Sequence, residues 1–399
     1  MKKSLIVFTI IFCCSLISAQ NNSTSNDTIN KEWYDEINLR GYAQLRYNGL
    51  IQTNPDLTCE QCDKSWGGDS DFFFRRIRLV FYGQIHPRIY FYIQPDFASA
   101  SGSNQHFGQI RDAYVDVGLD AKNEFRFRIG QSKVPFGFEN MQSSQNRLTL
   151  DRNDGLNSAL RNERDLGVFF YWAPVKIRER FSMLVKDGYK GSGDYGVFGF
   201  GVYNGQTANL EELNNKKHIV ARIAYPFEIG SQIFEAGIQA YTGKYTIDSE
   251  QISEGVSHRE DNTYIDQRFA VSAILYPKPF GIQAEYNIGK GPEFDKVTNS
   301  IEVQNLHGGY LLLNAKLPID KQLIYPFAKL QYYNGGKKHE LDARSYEVKE
   351  LEFGLEWQPY KSLEMVAAYT FSDRRYEDFI NPDNHQTGSL LRLQFQVNF

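Results

Sequence analysis

From Ile37 onward, apolar and polar residues alternate with a period of two, and the alternation persists to the end of the chain. In INLRGYAQLRYN (37–48), Ile37, Leu39, Ala43, Leu45 and Tyr47 fall on one face, and Asn38, Arg40, Gln44, Arg46 and Asn48 on the other. Successive side chains of a strand point to opposite sides, so this stretch predicts a strand with one greasy and one wet face. The same reading sets Ile77, Leu79, Phe81 and Ile85 against Arg76, Arg78, Tyr82 and Gln84. It sets Phe91, Ile93 and Phe97 against Tyr92, Gln94 and Asp96, and Ala113, Val115 and Val117 against Asp112, Tyr114 and Asp116. Phe125, Phe127 and Ile129 then oppose Arg126 and Arg128. Segments 164–172 and 194–204 carry apolar residues on both faces, and clearer strands fit 216–229, 233–245, 263–276, 280–289, 304–317, 323–333, 346–357, 362–371 and 388–399. The pattern predicts about sixteen strands, an even number within the range of transmembrane barrels.

The connections alternate in length. Short ones fall at 86–88, 119–123, 230–232, 277–279, 318–322 and 359–362; longer polar ones fall at 49–70, 98–108, 131–163, 205–215, 246–262, 290–303, 334–345 and 372–387. Short periplasmic turns alternating with long external loops describe a bacterial outer-membrane barrel. Residues 173–193 stand where a short turn belongs and fit either a turn or extra strands. A soluble β-sandwich or propeller also alternates, but the wet face here is ionic over whole strands and the chain ends on an aromatic residue, Phe399.

The chain begins with Lys2 and Lys3, an apolar run from Leu5 to Ile17 and the small pair Ser18-Ala19, which reads as a secretory signal peptide over 1–19. A lipidated Cys13 or Cys14 fits less well, because Phe12 stands where a small residue is wanted. Residues 20–35, rich in Asn, Ser and Thr, read as a flexible leader, which leaves 36–399 as the barrel domain. No segment after the signal has the apolar length of a membrane helix, a test that a barrel passes unseen because its apolar surface occupies every second residue. With 25 Tyr and 29 Phe the chain is rich in the rings that suit a bilayer interface. A net charge of -4 without a long basic run argues against nucleic acid. Cys59 and Cys62, in an exported chain without a second ligand pair, read as a loop disulfide, and no metal or cofactor is expected.

The longest polar connection, reaching 163, starts after the strand at 125–129 and breaks at Pro135 and Gly137. An insert of that length in a compact β-protein is usually functional. We read it as a loop folded into the barrel mouth, bringing Lys133, Arg147, Arg152, Arg161 and Arg164 to the passing solute; a solvated surface loop is the alternative.

RRIRLVFYGQIHPRIYFYIQPDF (75–97), IGQSKVPFGFE (129–139), ERDLGV (163–168) and VYNG (202–205) together resemble the phosphate-selective porin O and P family of Gram-negative outer membranes, over roughly 36–399. The resemblance implies a sixteen-stranded barrel in outer-membrane lipid, a homotrimer, lumenal loops, a basic translocation path, and a terminal Phe399 read by the barrel-assembly machinery. It also implies that Lys133, in SKVPFG, is a constriction cation, although Val134 separates it from the proline.

Parity places Arg40, Arg46, Arg76, Arg78, Arg126 and Arg128 on one lumen wall. Guanidinium groups stay charged and offer forked donors to phosphate, sulfate or carboxylate oxygens. Asp96, Asp112 and Asp116 share that wall and are candidates to pair with them. Glu350, Glu352, Glu356 and Glu364 fall at lumen parity near the C-terminus, and we expect them to form an acidic wall set well apart from the arginines. The expected function is passive diffusion of small hydrophilic solutes with a bias toward anions such as phosphate. A non-selective porin and a surface-docking barrel are the alternatives. An enzyme is not expected, since the seven histidines lie beside no nucleophile motif.

Overall fold

The computed structural model describes residues 33–399 apart from 49, 63–64, 69–70 and 102–103; the expected signal peptide and most of the leader lie outside the described residues. The leader's described end, Trp33–Glu36, is a single 3-10 turn. The strand segments in chain order are β1 (Asn38–Tyr47), β2 (Phe72–His86), β3 (Ile89–Ser101), β4 (Asn104–Gly118), β5 (Phe125–Lys133), β6 (Arg164–Trp172), β7 (Phe198–Tyr203), β8 (His218–Ile229) and β9 (Gln232–Thr246). They continue with β10 (Thr263–Leu275), β11 (Phe280–Asp295), β12 (Ser300–Ala315), β13 (Leu317–Ile319), β14 (Gln322–Gly336), β15 (Ser345–Tyr360), β16 (Leu363–Glu377) and β17 (His385–Asn398). β12 and β13 lie end to end against β14, and β1 pairs with both β2 and β17, so the sheet is a closed antiparallel barrel of 16 strands.

Register keeps the two faces apart. Leu39 pairs with Phe81, Phe81 with Ile93, Val115 with Ile129, and Ile129 with Val168, all turned outward and exposed apart from a half-buried neighbour here and there. A slip of one residue would invert every side chain, so the lipid-facing row fixes the pairing. At the closing seam Gly41 and Phe399 exchange backbone hydrogen bonds of 2.7 and 3.0 Å. A Cβ on Gly41 would stand 2.6 Å from the Phe399 ring, so only glycine admits the terminal aromatic there.

Three expectations change. The long loops at 98–108, 290–303 and 372–387 are mostly strand, while 334–345 is strand only at its two ends: β3 and β4 continue to Ser101 and from Asn104, β11 and β12 to Asp295 and from Ser300. Strands of 15 or 16 residues outrun the roughly 9–11 that a tilted strand needs to cross a bilayer. Beyond the bilayer both faces are wet, so pairing continues where the alternation has faded. Second, residues 173–193 hold neither a simple turn nor strands but a helix, α3 (Val175–Lys186), with Ile177, Phe181 and Leu184 buried. Third, the lumenal insert contains two single-turn helices, α1 (Phe138–Met141) and α2 (Asp154–Asn157).

Candidate functional site: the lumen and its inserted segments

Residues 134–163 lie inside the barrel, almost wholly buried. Gly137 starts the inward turn at φ 85°, a conformation that suits glycine, and a Cβ there would stand 2.5 Å from Leu156. Val134, Phe136, Leu156, Ala159 and Leu160 pack with the inward rings Phe169, Tyr171, Tyr203 and Tyr241, while Leu148 and Leu150 pack with Tyr310, Leu312, Tyr325 and Phe327. Each buried Leu or Phe contributes about 1.5–3 kcal/mol relative to water, so the insert is held as a wall and not hung as a free lid.

Polar staples fix its orientation. The Gly137 amide donates to Gln239 at 2.6 Å and the Phe138 amide to Glu285 at 2.5 Å. Arg268 on β10 donates to the Gly155 carbonyl and Ser158 hydroxyl at 2.9 and 2.8 Å. Glu139 accepts from Lys329 at 2.7 Å and from the Asn153 amide at 2.7 Å. Asp154 is held by Lys337 at 2.5 Å and Arg374 at 2.8 Å.

The loop cations converge on one carboxylate that the sequence reading passed over. Glu163 pairs with Lys133 at 3.1 Å, Arg147 at 3.4 Å, Arg152 at 3.2 Å and Arg164 at 2.7 Å. Lys133 also donates to the carbonyls of Asn140 and Gln142 at 2.7 and 2.5 Å, and Arg164 to Asp112 at 2.9 Å. Arg161 is half-buried and has no carboxylate partner among the described residues. On the barrel wall, Arg46 donates to Gln394 at 2.7 Å and to the Leu150 carbonyl at 2.8 Å, and Arg76 to Gln44 at 2.8 Å. Arg78 pairs with Asp96 at 2.7 Å, Arg126 with Asp194 at 2.9 Å, and Arg128 with Asp116 at 2.7 Å. Arg40 has no carboxylate among the described residues and lies 5.3 Å over the Tyr82 ring.

The separate acidic wall is corrected. Glu350, Glu352, Glu356 and Glu364 do face inward, but β15 and β16 meet β17, which meets β1, so barrel closure brings the C-terminal strands beside the first. Arg374 pairs with Glu350 at 2.6 Å, Arg392 with Glu352 at 2.8 Å and Lys190 with Glu356 at 2.5 Å, while Asn398 donates to Glu364 at 2.7 Å. Arg374 and Arg392 stand at lumen parity and were legible by the rule that found Arg40. Lys190, in the segment after α3, carried no such signal. Trp66 of the first external loop lies 4.8 Å over Arg374 and 5.2 Å over Arg392, and its indole donates to Asp151 at 3.2 Å. That loop carries a Cys59–Cys62 disulfide.

α3 and its following segment enter from the side of the short turns. Leu184 reaches Phe138 of the insert, and Gln142 donates to the Lys190 carbonyl at 2.6 Å, so the two inserted segments meet inside the lumen. They leave a cavity of about 630 Å³ against β1–β5, lined by Arg40, Tyr82, Tyr92, Tyr114, Arg128 and Lys133 among others. Its carboxylates Asp112, Asp116 and Asp194 are each bound by arginine. Burial pushes the Asp194 carboxyl up, but Arg126 and Arg178 outweigh it and hold it at about 2.

A closed antiparallel barrel with an apolar exterior, an ionic lumen and a loop folded inward defines an outer-membrane diffusion channel. The family model for phosphate-selective porin O and P matches residues 56–399, and the chain belongs to that family. Its place is the outer membrane of a Gram-negative bacterium, and family and fold are those of channels. Similar solved structures include the outer-membrane channel DcaP of Acinetobacter baumannii, with 13% identity over 91% of this chain and 97% of that one and a TM-score of 0.56. The anion-selective porin from Comamonas acidovorans has 10% identity over 91% and 99% of the two chains, with a TM-score of 0.55. The trimer form of OmpT from Vibrio cholerae has 11% identity over 91% and 99%, with a TM-score of 0.50. At these identities the likeness is one of fold. No match was found among curated protein sequences.

Proposed function

We propose that this channel passes small anions, phosphate among them, in preference to cations, along the β1–β5 side of its lumen. The observation that carries this reading is the charge balance of the cavity: Asp112, Asp116 and Asp194 are all taken up by arginines, while Arg40, Arg88 and Lys186 line the same space with no carboxylate partner among the described residues. A cavity left with surplus cations draws anions in, and a series of moderate sites lets them leave again. Lys133 lines the inner part of the cavity while tied to Glu163 and two carbonyls, so its role is to hold the insert as well as to add charge. The family name and the anion-selective neighbour of similar fold support the same direction. A homotrimer, for which the trimeric neighbour is the support, and recognition of Phe399 during barrel assembly belong to the same proposal, as does removal of residues 1–19 on export.

Single-channel recording in a planar bilayer with phosphate titrated into potassium chloride tests the solute class. Progressive block of chloride current by phosphate supports the reading. A large current that phosphate leaves untouched makes the protein a general diffusion porin.

A further inference from the structure

Register sets three tyrosines side by side on the lumen face. Tyr82 of β2 pairs with Tyr92 of β3, and Tyr92 pairs with Tyr114 of β4. The next partner is Gly130 of β5, which adds no side chain of its own. The Tyr92 and Tyr114 rings stack at 5.2 Å between centroids and 11° between planes. A guanidinium stands at either end, Arg40 at 5.3 Å over Tyr82 and Arg128 at 3.9 Å over Tyr114. Arg128 is committed to both oxygens of Asp116, at 2.7 and 2.9 Å. Arg40 is exposed and free of carboxylate among the described residues.

Two plain explanations fall short. Interfacial girdle tyrosines face lipid, and these face the cavity. Tyrosines that only pack a wall are covered, and all three are only partly buried. A cavity of about 630 Å³ also exceeds what a phosphate ion fills. Tyr92 and Tyr114 turn their faces to one another, and Arg40 and Arg128 cover a face of Tyr82 and of Tyr114, so the rung offers ring edges to the cavity. A ring edge carries the positive part of the aromatic quadrupole and attracts the negative face of another π-system. A saturated ring or a sugar has no such face.

We propose that this rung is a binding subsite for planar aromatic monocarboxylates, the ligand's ring lying across the edges of Tyr82, Tyr92 and Tyr114 and its carboxylate taken by the Arg40 guanidinium. Of the two guanidiniums on the rung only Arg40 lacks a carboxylate partner among the described residues, which matches one negative charge, and its fork matches the two carboxylate oxygens. The proposal rests on the anion-preferring reading and names a solute class within it.

The test is block of potassium chloride current through the reconstituted full-length channel by 2-naphthoate, benzoate, cyclohexanecarboxylate, acetate and inorganic phosphate. We expect 2-naphthoate to block at a concentration about tenfold below that of cyclohexanecarboxylate, with benzoate between them. In Arg40→Gln the naphthoate block weakens about tenfold. In Tyr92→Ile the advantage of naphthoate over cyclohexanecarboxylate disappears. Equal block by cyclohexanecarboxylate, acetate or phosphate in the wild type overturns the subsite without calling on any variant, and so does naphthoate block unchanged in Arg40→Gln. A reversal potential on the anion side combined with equal block removes the subsite alone, whereas a reversal potential on the cation side removes the anion preference beneath it.

Discussion

Arg40 and Arg392 stand on adjacent strands of the ring, both at lumen parity, and their circumstances are opposite. Arg392 is sealed between Glu352, Asp151 and the Trp66 ring, with about 1% of its side chain exposed. Arg40 opens onto the cavity with only tyrosine beside it. The same contrast separates the two sides of the lumen. Tyr82, Tyr92 and Tyr114 on β2–β4 border open space, while from β9 round to β16 inward side chains grip the inserted loop through Gln239, Arg268, Glu285, Lys329 and Arg374. In this lumen a cation enclosed by carboxylates, such as Arg392, ties the wall, and one without them, such as Arg40, is left facing the cavity.

The contrast breaks most sharply at Glu163. In Glu163→Gln four cations lose their shared partner, and leaving buried charge uncompensated costs on the order of 3–5 kcal/mol. We expect a lower thermal unfolding midpoint in detergent, noisier single-channel current and a reversal potential moved further to the anion side. An unfolding midpoint equal to wild type would mean that the hub is dispensable.

Next in size is the apolar anchoring of the insert. Leu156→Ala removes a fully buried side chain and should cost about 2–4 kcal/mol, read as a lower unfolding midpoint and a larger unitary conductance as the loop gives way. A smaller effect is expected at the outer mouth. Trp66→Ala takes away the ring over Arg374 and Arg392, worth about 0.5–2 kcal/mol, and should loosen the first external loop so that protease cuts it faster. Unchanged cleavage would place the hold on that loop elsewhere.

The smallest effect concerns pH. Asp194 lies between α3 and β7 and titrates at about 2, below the roughly 3.9 of a free aspartate. A depressed carboxyl stabilises above its unfolded value and loses that contribution as pH falls through its folded value, so the Arg126–Asp194–Arg178 tie should hold at pH 4 and fail between about 4 and 2. Chloride selectivity rising below pH 4 in wild type, with no such rise in Asp194→Asn, is the expected pair of results. A rise that persists in Asp194→Asn would assign it to another carboxylate.

Period-two alternation was enough to find the strands and their inward faces, because a lipid exterior demands apolar residues at every second position and Leu39, Phe81, Ile93 and Val115 supply them. It named the cations of the β1–β5 wall for the same reason. What it could not give was anything that depends on neighbours across the ring. Arg374 of β16 and Arg392 of β17 were open to the same parity rule, and their pairing with Glu350 and Glu352 of β15 interleaves what alternation alone listed as an acidic wall. The register of β2, β3 and β4 made one rung of three separate tyrosines. Glu163 sits at the end of a polar loop with nothing local to distinguish it, and only the inward fold of residues 134–163 brings Lys133, Arg147, Arg152 and Arg164 around it. α3 was missed although Ile177, Phe181 and Leu184 recur at helical spacing, because the segment was read only against the strand period that surrounds it.

The most direct measurement is the reversal potential in a potassium chloride gradient for wild type, Arg40→Gln and Arg392→Gln. The account predicts a wild-type value on the anion side, a shift toward zero in Arg40→Gln, and a smaller shift in Arg392→Gln, whose side chain is sealed away from passing ions behind the Trp66 ring. A wild-type value on the cation side, or equal shifts in the two variants, would contradict it.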